Sequence, residues 1–522
     1  MIQPVSLFGR LVASRRKWTA MWVGSPRTVL AVMCAALLVV VIDVTVLHTA
    51  IPSLTTALGA DSAQVLWIVD VYPLVVAPLL ITSGFLGDRF GRRRLLLLGL
   101  ILFGVASMGA AVAPDAWWLI AARALMGVGA AMIMPSTMSL IRVAFPERAA
   151  RLRAVAIWSA VSAGGAAAGP LIGGILVETW WWGAVFLVNV PLCAVVAGVA
   201  WFTIRESKSE SPALWDGASA GLSVVAVLTL AFAVKEAGAG KSIIALTAGV
   251  IAVGAGFWFC RRQLRTARQG GRAMLDIRLF RRAEFSGAVV CVMLAMFAVV
   301  GLDLMFAQYL QFVLGLSPLD AAVRLMPLAL ATVAGALCAA QLVGRLGRQR
   351  AIGIGLAAAA AALAPLLLLG ASEQVWVFSA SLGILGFALE IALVSANDVI
   401  ISAVPADRAG EAAGIEETAY DLGGGLGVAV LGSAFAVLYT VGFPAVPSAS
   451  TADFNAAKNS IGEFVRLQAP PGTDLAAAAA GAFMYAFHGV AVISILILAG
   501  AALSSFLASR PQPVQPAPLH EQ

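Results

Sequence analysis

Long apolar runs recur from one end of this 522-residue chain to the other, and they constrain the fold more than any other feature. A helix crossing a bilayer needs about 20 mostly apolar residues. Fourteen such runs are present, near 28–50, 64–86, 95–113, 117–142, 154–177, 183–204, 216–235, 242–260, 285–312, 321–343, 351–370, 375–401, 411–438 and 483–508. Composition agrees. Hydrophobic residues make up 61% and charged residues 12%, with a mean hydropathy of +0.94. Soluble domains are roughly 45–50% apolar and about 25% charged, so the excess is too large for one aqueous core. The expected class is an all-α, polytopic membrane protein. Its five cysteines, Cys34, Cys193, Cys260, Cys291 and Cys338, lie in apolar runs without a CxxC and read as small packing residues.

The net charge of +7 does not mark a nucleic-acid protein, because the bases sit in short loops between spans. Alternate loops carry Arg89/Arg92/Arg93/Arg94, Arg142/Arg148/Arg151/Arg153, Arg205/Lys208, a run from Arg261 to Arg282, Arg345/Arg348/Arg350, and Arg408. The amino-terminal stretch adds Arg10, Arg15, Arg16, Lys17 and Arg27. The remaining loops hold only Lys235, Lys241, Lys458 and Arg466. By the positive-inside rule both termini are expected in the cytoplasm of a cell-membrane protein. "ETWWWG" (Glu178–Gly183) then falls at the outer interface.

Two bases remain within spans, Arg123 and Arg324. The acids that remain are Asp43, Asp70, Asp303, Glu390 and the cluster Glu416, Glu417 and Asp421. An ionisable group at bilayer depth costs several kcal/mol, so it faces a cavity, a partner or a proton path. Two bases cannot pair with seven acids. Glu417 and Asp421, at i,i+4, share a helix face, and Glu416 is turned about 100° from them. Neighbouring carboxylates cannot both ionise cheaply in low dielectric, which suits them to proton exchange. Asp43 and Asp70 lie in the outer half of the membrane and the cluster in the inner half.

Glycines punctuate the same chain. "SGFLGDRFGRRR" (Ser83–Arg94) joins spans 2 and 3, where Gly87 and Gly91 permit a tight turn and Asp88 can pair with an arginine or cap a helix. "VGRLGRQR" (Val343–Arg350) repeats it between spans 10 and 11, with Gly344 opposite Asp88. Two related halves mark repeat-built transporters. "GGAAAGPLIGG" (Gly164–Gly174) puts Gly165, Gly169 and Gly173 on one strip of span 5. That strip reads either as a packing groove or, with Pro170 interrupting the backbone bonding, as a hinge.

These stretches resemble the major facilitator superfamily. "GFLGDRFGRRR", with Gly87, Asp88, Arg89, Gly91 and Arg92, is similar to its loop 2–3 motif. "RALMGVGAAM" (Arg123–Met132) resembles the span-4 motif and "GGAAAGPLIGG" the antiporter motif. "IDVTVLHTAIP" (Ile42–Pro52) resembles the span-1 motif of the 14-span drug:proton antiporters; "WIVDVY" (Trp67–Tyr72) and "EETAYDLGGGLG" (Glu416–Gly427) look closest to their quaternary-ammonium exporters. The resemblance implies a major facilitator fold of two six-helix bundles, 28–204 and 284–508, with two extra transmembrane helices inserted at 205–283. An external loop would run over 440–480, with a cytoplasmic segment at 1–27 and a disordered tail at 509–522. It implies proton coupling at Asp43, Arg123, Glu417 and Asp421. It implies substrate contacts from Trp67, Asp70, Asp303, Gln308, Gln311, Glu390, Glu416 and Tyr420. Trp158, Phe306 and Tyr309 are candidates for further aromatic surface. His48 stands where many family members have Asn, and either titrates or simply hydrogen-bonds.

The reading is a proton-coupled antiporter of lipophilic cations, acting as a monomer without a cofactor. Rivals are an exporter of one endogenous metabolite or antibiotic and, in another class, a membrane receptor or channel. Three histidines, no metal-ligand spacing and no GxxxxGK[ST] loop argue against an enzyme or an ATP-driven pump.

Overall fold

The computed structural model describes residues 25–60, 62–209, 216–238, 242–269, 273–370, 374–459, 461, 464 and 472–508. Most of the amino-terminal segment 1–27, the tail 509–522 and the Arg466 stretch of the external loop lie outside the described residues. Among the described residues, fourteen helical spans are long and apolar enough to cross a membrane, the sixth and eleventh with the help of the short helical turns Ala184–Leu187 and Ala364–Leu368 that adjoin their main helices. They are α1 (Pro26–Leu58), α2 (Ser62–Phe90), α3 (Arg92–Ala111), α4 (Ala116–Ala144), α5 (Arg148–Thr179), α6 (Asn189–Thr203), α7 (Gly217–Gly238), α8 (Ser242–Arg268), α9 (Ala283–Gln308), α10 (Pro318–Leu346), α11 (Arg348–Leu363), α12 (Val375–Ser402), α13 (Ala409–Gly442) and α14 (Asp474–Ala508). The described residues contain no strand.

Helix ends follow local chemistry. Ser25 caps α1 by accepting the Thr28 N–H, with Pro26 in the first turn. Asp115 caps α4 by accepting the Trp118 N–H at 2.9 Å. Gly91, at φ +119, separates α2 from α3 with a backbone that L side chains rarely adopt. A Cβ there would also collide with the Glu206 carboxylate, which accepts the first free N–H groups of α3 from Arg93 and Arg94.

Two boundaries differ from the sequence reading. α14 begins at Asp474, not near 483, because the alanine run after Leu475 is strongly helix-forming and Thr473 caps it through the Ala476 N–H. The expected loop 440–480 also contains a helix, Thr451–Asn459, pinned by the Tyr439 hydroxyl to the Ala457 carbonyl at 3.0 Å. α5 runs through Pro170 as one helix.

Apolar burial drives little association between helices surrounded by lipid, so small-residue seams and interhelical hydrogen bonds carry it. α1 lies along the glycine strip of α5. A Cβ on Gly165 would come within 2.6 Å of Leu38, one on Gly173 within 3.0 Å of the Val46 carbonyl, and one on Gly169 would overlap Thr45. Gly99 of α3 and Gly129 of α4 seat against each other in the same way, as do Gly423 and Gly427 of α13 against Met293 and Phe297 of α9. The first half (α1–α6) and the second (α9–α14) meet where α2 packs on α13 and α5 on α10. The α7–α8 pair packs on itself and lies over both α2 and α13.

The α1–α5 seam makes a direct comparison possible. Gly169→Val overpacks it and is expected to cost about 1–3 kcal/mol. Gly164→Val, on the same helix with nothing within 4 Å of its added Cβ, is expected to be tolerated. Melting temperatures of the two purified variants check this.

Candidate functional site

A closed ion pair sits at the centre of the first half. Arg123 Nη1 of α4 donates to Asp43 Oδ2 of α1 at 2.6 Å, and its Nε donates to the Ile68 carbonyl of α2 at 3.3 Å. Asn189 Nδ2, at the start of α6, donates to the other Asp43 oxygen at 2.8 Å. The Arg123 guanidinium also lies over the Tyr72 ring at 4.4 Å. Both charged side chains are almost wholly inaccessible, at 2% and 1%. The glycine seam brings α1 and α5 together around Asp43, so helix packing positions the carboxylate. Asn189 and Tyr72 were not singled out in the sequence reading. It sorted charges, and both residues are neutral.

The second half carries acids of a different kind. Glu390 of α12 and Glu416 and Glu417 of α13 are buried. None of these, nor Asp421 or Asp303, forms an ion pair among the described residues. Ser159 of α5 faces Glu390, and Asn397 of α12 faces Glu416. Glu416 is thus turned toward α12, while Glu417 and Asp421 share the next strip. One carboxylate oxygen of Glu416 and one of Glu417 have no hydrogen-bond partner. Asp421 is half-buried and Tyr420 exposed, though both are ringed by protein. Asp303 of α9 shows the same combination. Tyr72 links the two sets: its ring covers Arg123, and its hydroxyl, unbonded in the structure, lies in electrostatic range of Asp421 as well as Asp43.

The other candidates divide. Trp67 is exposed and Asp70 half-buried on α2, and both make contacts. Gln308 and Gln311 are half-buried where α9 passes into a π-helical turn, Tyr309–Val313, a distortion frequent at functional sites. Phe306 and Tyr309 are not available as ligand surface. They are 1% exposed and packed against Phe378 and Phe487, because the aromatic core of the second half claims them. Trp158 is buried. The His48 side chain lies outside the described residues.

Arginine-rich loops close one end of the molecule, here called the basic end. Asp88 accepts from Arg92 at 2.6 Å and from the Gly410 and Glu411 N–H groups at 3.0 and 3.2 Å, capping α13 across the two halves. Arg92 donates on to the Ala406 carbonyl. Gly84 approaches Gly410 and Gly414 so closely that no side chain fits between them. Gly87 packs against Leu95 and Arg92, and Arg89 lies over the Phe90 ring at 5.3 Å. The second repeat lacks the acid of the first, and its role passes to α12. There Asp398 receives Arg148 and Arg151 of α5 at 3.2 and 3.6 Å and Arg348 of α11 at 3.9 Å. Asp398 went unrecognised because it falls near the end of a span, where an acid reads as part of a loop.

The family model of the Major Facilitator Superfamily matches residues 33–428. The chain belongs to the Major Facilitator Superfamily. Among its relatives, the methyl viologen resistance protein SmvA of Salmonella typhimurium (strain LT2) is 40% identical over 87% of this chain and 92% of its own. The multidrug efflux pump LfrA of Mycolicibacterium smegmatis is 37% identical over 94% and 97%. The tetracenomycin C resistance and export protein of Streptomyces glaucescens is 34% identical over 78% and 76%. Of solved structures, the human organic anion transporter MFSD10 aligns with a TM-score of 0.59 at 16% identity, covering 91% of this chain and 99% of that one. The proton:xylose symporter XylE aligns at 0.55 and 15%, covering 90% and 94%. These two show the shared fold. This superfamily member is a multi-pass membrane transporter and not an enzyme.

Breaking one side of a buried pair strands the other charge, at a typical cost of about 3–5 kcal/mol. Asp43→Asn and Arg123→Gln are each expected to lower the melting temperature, and the double variant to recover part of the loss. Thermal unfolding of the four proteins as a double-mutant cycle measures the coupling.

Proposed function

We propose that this transporter exports lipophilic, cationic drugs or antiseptics in exchange for protons, by alternating access between its two halves. The observation that carries the reading is the set of carboxylates without a base against them: Glu390, Glu416, Glu417, Asp421 and Asp303, beside a first-half pair already neutralised. Crowded carboxylates repel in low dielectric. A proton or a substrate cation each relieves that repulsion, so the two compete for one place and exchange follows. Glu417 and Asp421 carry the coupling on α13, and Asp43 and Arg123 carry it in the first half. Trp67, Asp70, Asp303, Gln308, Gln311, Glu390, Glu416 and Tyr420 surround the cation, with aromatic rings supplying cation–π attraction. The SmvA name supports this class, since methyl viologen is a dication, and the LfrA name supports drug export. The tetracenomycin C relative supports the alternative of one dedicated compound.

The bundles α1–α6 and α9–α14 rock as units, with α7–α8 inserted between them. The contacts of Asp88, Arg92, Arg148 and Arg151 across the halves make the basic end the closed gate here. Its arginines support a cytoplasmic location for that end and for both termini, and on that reading the state is closed inward. Cysteine labelling in intact cells is expected to find Ala456→Cys outside and Thr266→Cys inside; both on one side overturns the topology.

Proteoliposomes test the function. An imposed proton gradient is expected to drive uphill transport of ethidium and methyl viologen, and collapsing it to stop that transport. Glu417→Gln and Asp421→Asn are expected to lower the initial rate at least about tenfold, a rise of about 1.4 kcal/mol in the barrier to transport. Gradient-independent flux, or normal rates in both variants, contradicts antiport through α13. Flux confined to one neutral compound in a broad panel favours the dedicated exporter.

A further inference from the structure

The two helices inserted between the halves are tied to the gate at both of their ends. The extended segment 206–209, which follows α6, runs beside the loop 2–3 motif. The Arg92 N–H donates to the Ser207 carbonyl at 3.0 Å, and the Ser209 N–H donates to the Asp88 carbonyl at 2.7 Å. Glu206 accepts the Arg93 and Arg94 N–H groups at 3.1 Å each. Ser209 Oγ then reaches across to Asp407, just before α13, at 3.4 Å.

The irregular segment 273–276, which follows α8, is held from the opposite half. Glu411, on the first turn of α13 and 4% exposed, accepts the Asp276 N–H at 2.6 Å with one carboxylate oxygen. Its other oxygen takes Arg408 at 2.6 Å, and Arg408 also faces Asp276 at 3.7 Å. The Glu411 N–H meanwhile donates to Asp88. One residue therefore holds the second anchor with its side chain and the gate with its backbone.

Between the anchors the insert is cross-linked to itself. Gln263 of α8 accepts the Leu275 N–H at 3.2 Å and donates to Ser219 of α7 at 2.7 Å. Arg262 forks onto Asp216 at 2.6 and 3.0 Å, which with Ser219 holds that carboxyl down at about 2. A depressed carboxyl contributes stability above its unfolded value near 4 and loses it only as pH falls through about 2, so this pin stays charged at any physiological pH. Phe85 of α2, Ala220 of α7 and Met274 of the segment after α8 close a small apolar cluster beside the gate.

We propose that the α7–α8 insert is a clasp that holds the basic-end gate shut, anchored to the first half through residues 206–209 and to the second through Glu411 as its positioning residue. Opening the gate separates Asp88 from Gly410 and Glu411, and with them the two anchors. The insert therefore opposes opening until one anchor releases. This goes beyond the transport reading, and its test needs neither substrate nor gradient.

The full-length protein without its native cysteines carries Val404→Cys, a position 3% exposed whose carbonyl accepts from Arg142 across the gate. N-ethylmaleimide labelling of that thiol reports gate opening. Glu411→Ala removes the second anchor, and Ser209→Pro removes the N–H that makes the first. Each is expected to raise the labelling rate about tenfold, the shift produced by about 1.4 kcal/mol. A companion protein retaining only Cys193, buried beneath Gly104 and away from the gate, reports general loosening and is expected to label unchanged. A rate within about twofold of the parent in either variant overturns the clasp, as does an equal rise at Cys193.

Discussion

Asp43 and Arg123 lie 2.6 Å apart with no room for water on either, and the rest of the first half is arranged to make that possible. Removing a carboxylate and a guanidinium from water costs several kcal/mol per ion, and attraction repays it only when geometry is good and the remaining donors and acceptors are satisfied. Each requirement is met by a different helix. α1 is drawn against α5 by three glycines, α6 delivers Asn189, and α2 gives a carbonyl and the Tyr72 ring. A bundle that loosened at any of these seams would leave an unpaired charge in a medium that cannot solvate it.

The second half contrasts with this arrangement. There, carboxylates share α13 and α12 without a resident base, and neutral donors such as Ser159 and Asn397 stand near two of them. Paired charge is already answered by its own partner, whereas carboxylates without a base are open to a cation. Tyr72 belongs to the first kind, with its ring on Arg123 and its hydroxyl left without a hydrogen-bond partner.

Much of this was legible in the residue string because a bilayer makes sequence unusually informative. The fourteen spans follow from length and composition, and charged residues inside them stand out against an apolar background. The glycine strip of α5 announced a close approach, though not its partner. What stayed hidden had specific causes. Asn189 and Tyr72 carry no charge, so charge sorting passed over them. Asp398 lies at a span end, where depth cannot be read from hydropathy. Phe306 and Tyr309 look like ligand aromatics in sequence, and only tertiary packing shows that Phe378 and Phe487 already occupy their faces. The helix over Thr451–Asn459 is too short and polar to rise above its loop.

The ion cluster on α12 is built unevenly. Three arginines from two helices converge on one carboxylate, Asp398, which is almost wholly enclosed. Such a node is redundant in its cations and singular in its anion. Natural variation can drift through Arg148, Arg151 or Arg348 one at a time while the remaining two keep the contact. Replacing Asp398 turns the whole cluster into three mutually repelling charges in a single step. At this corner of the gate, tolerance to mutation is therefore a matter of stoichiometry.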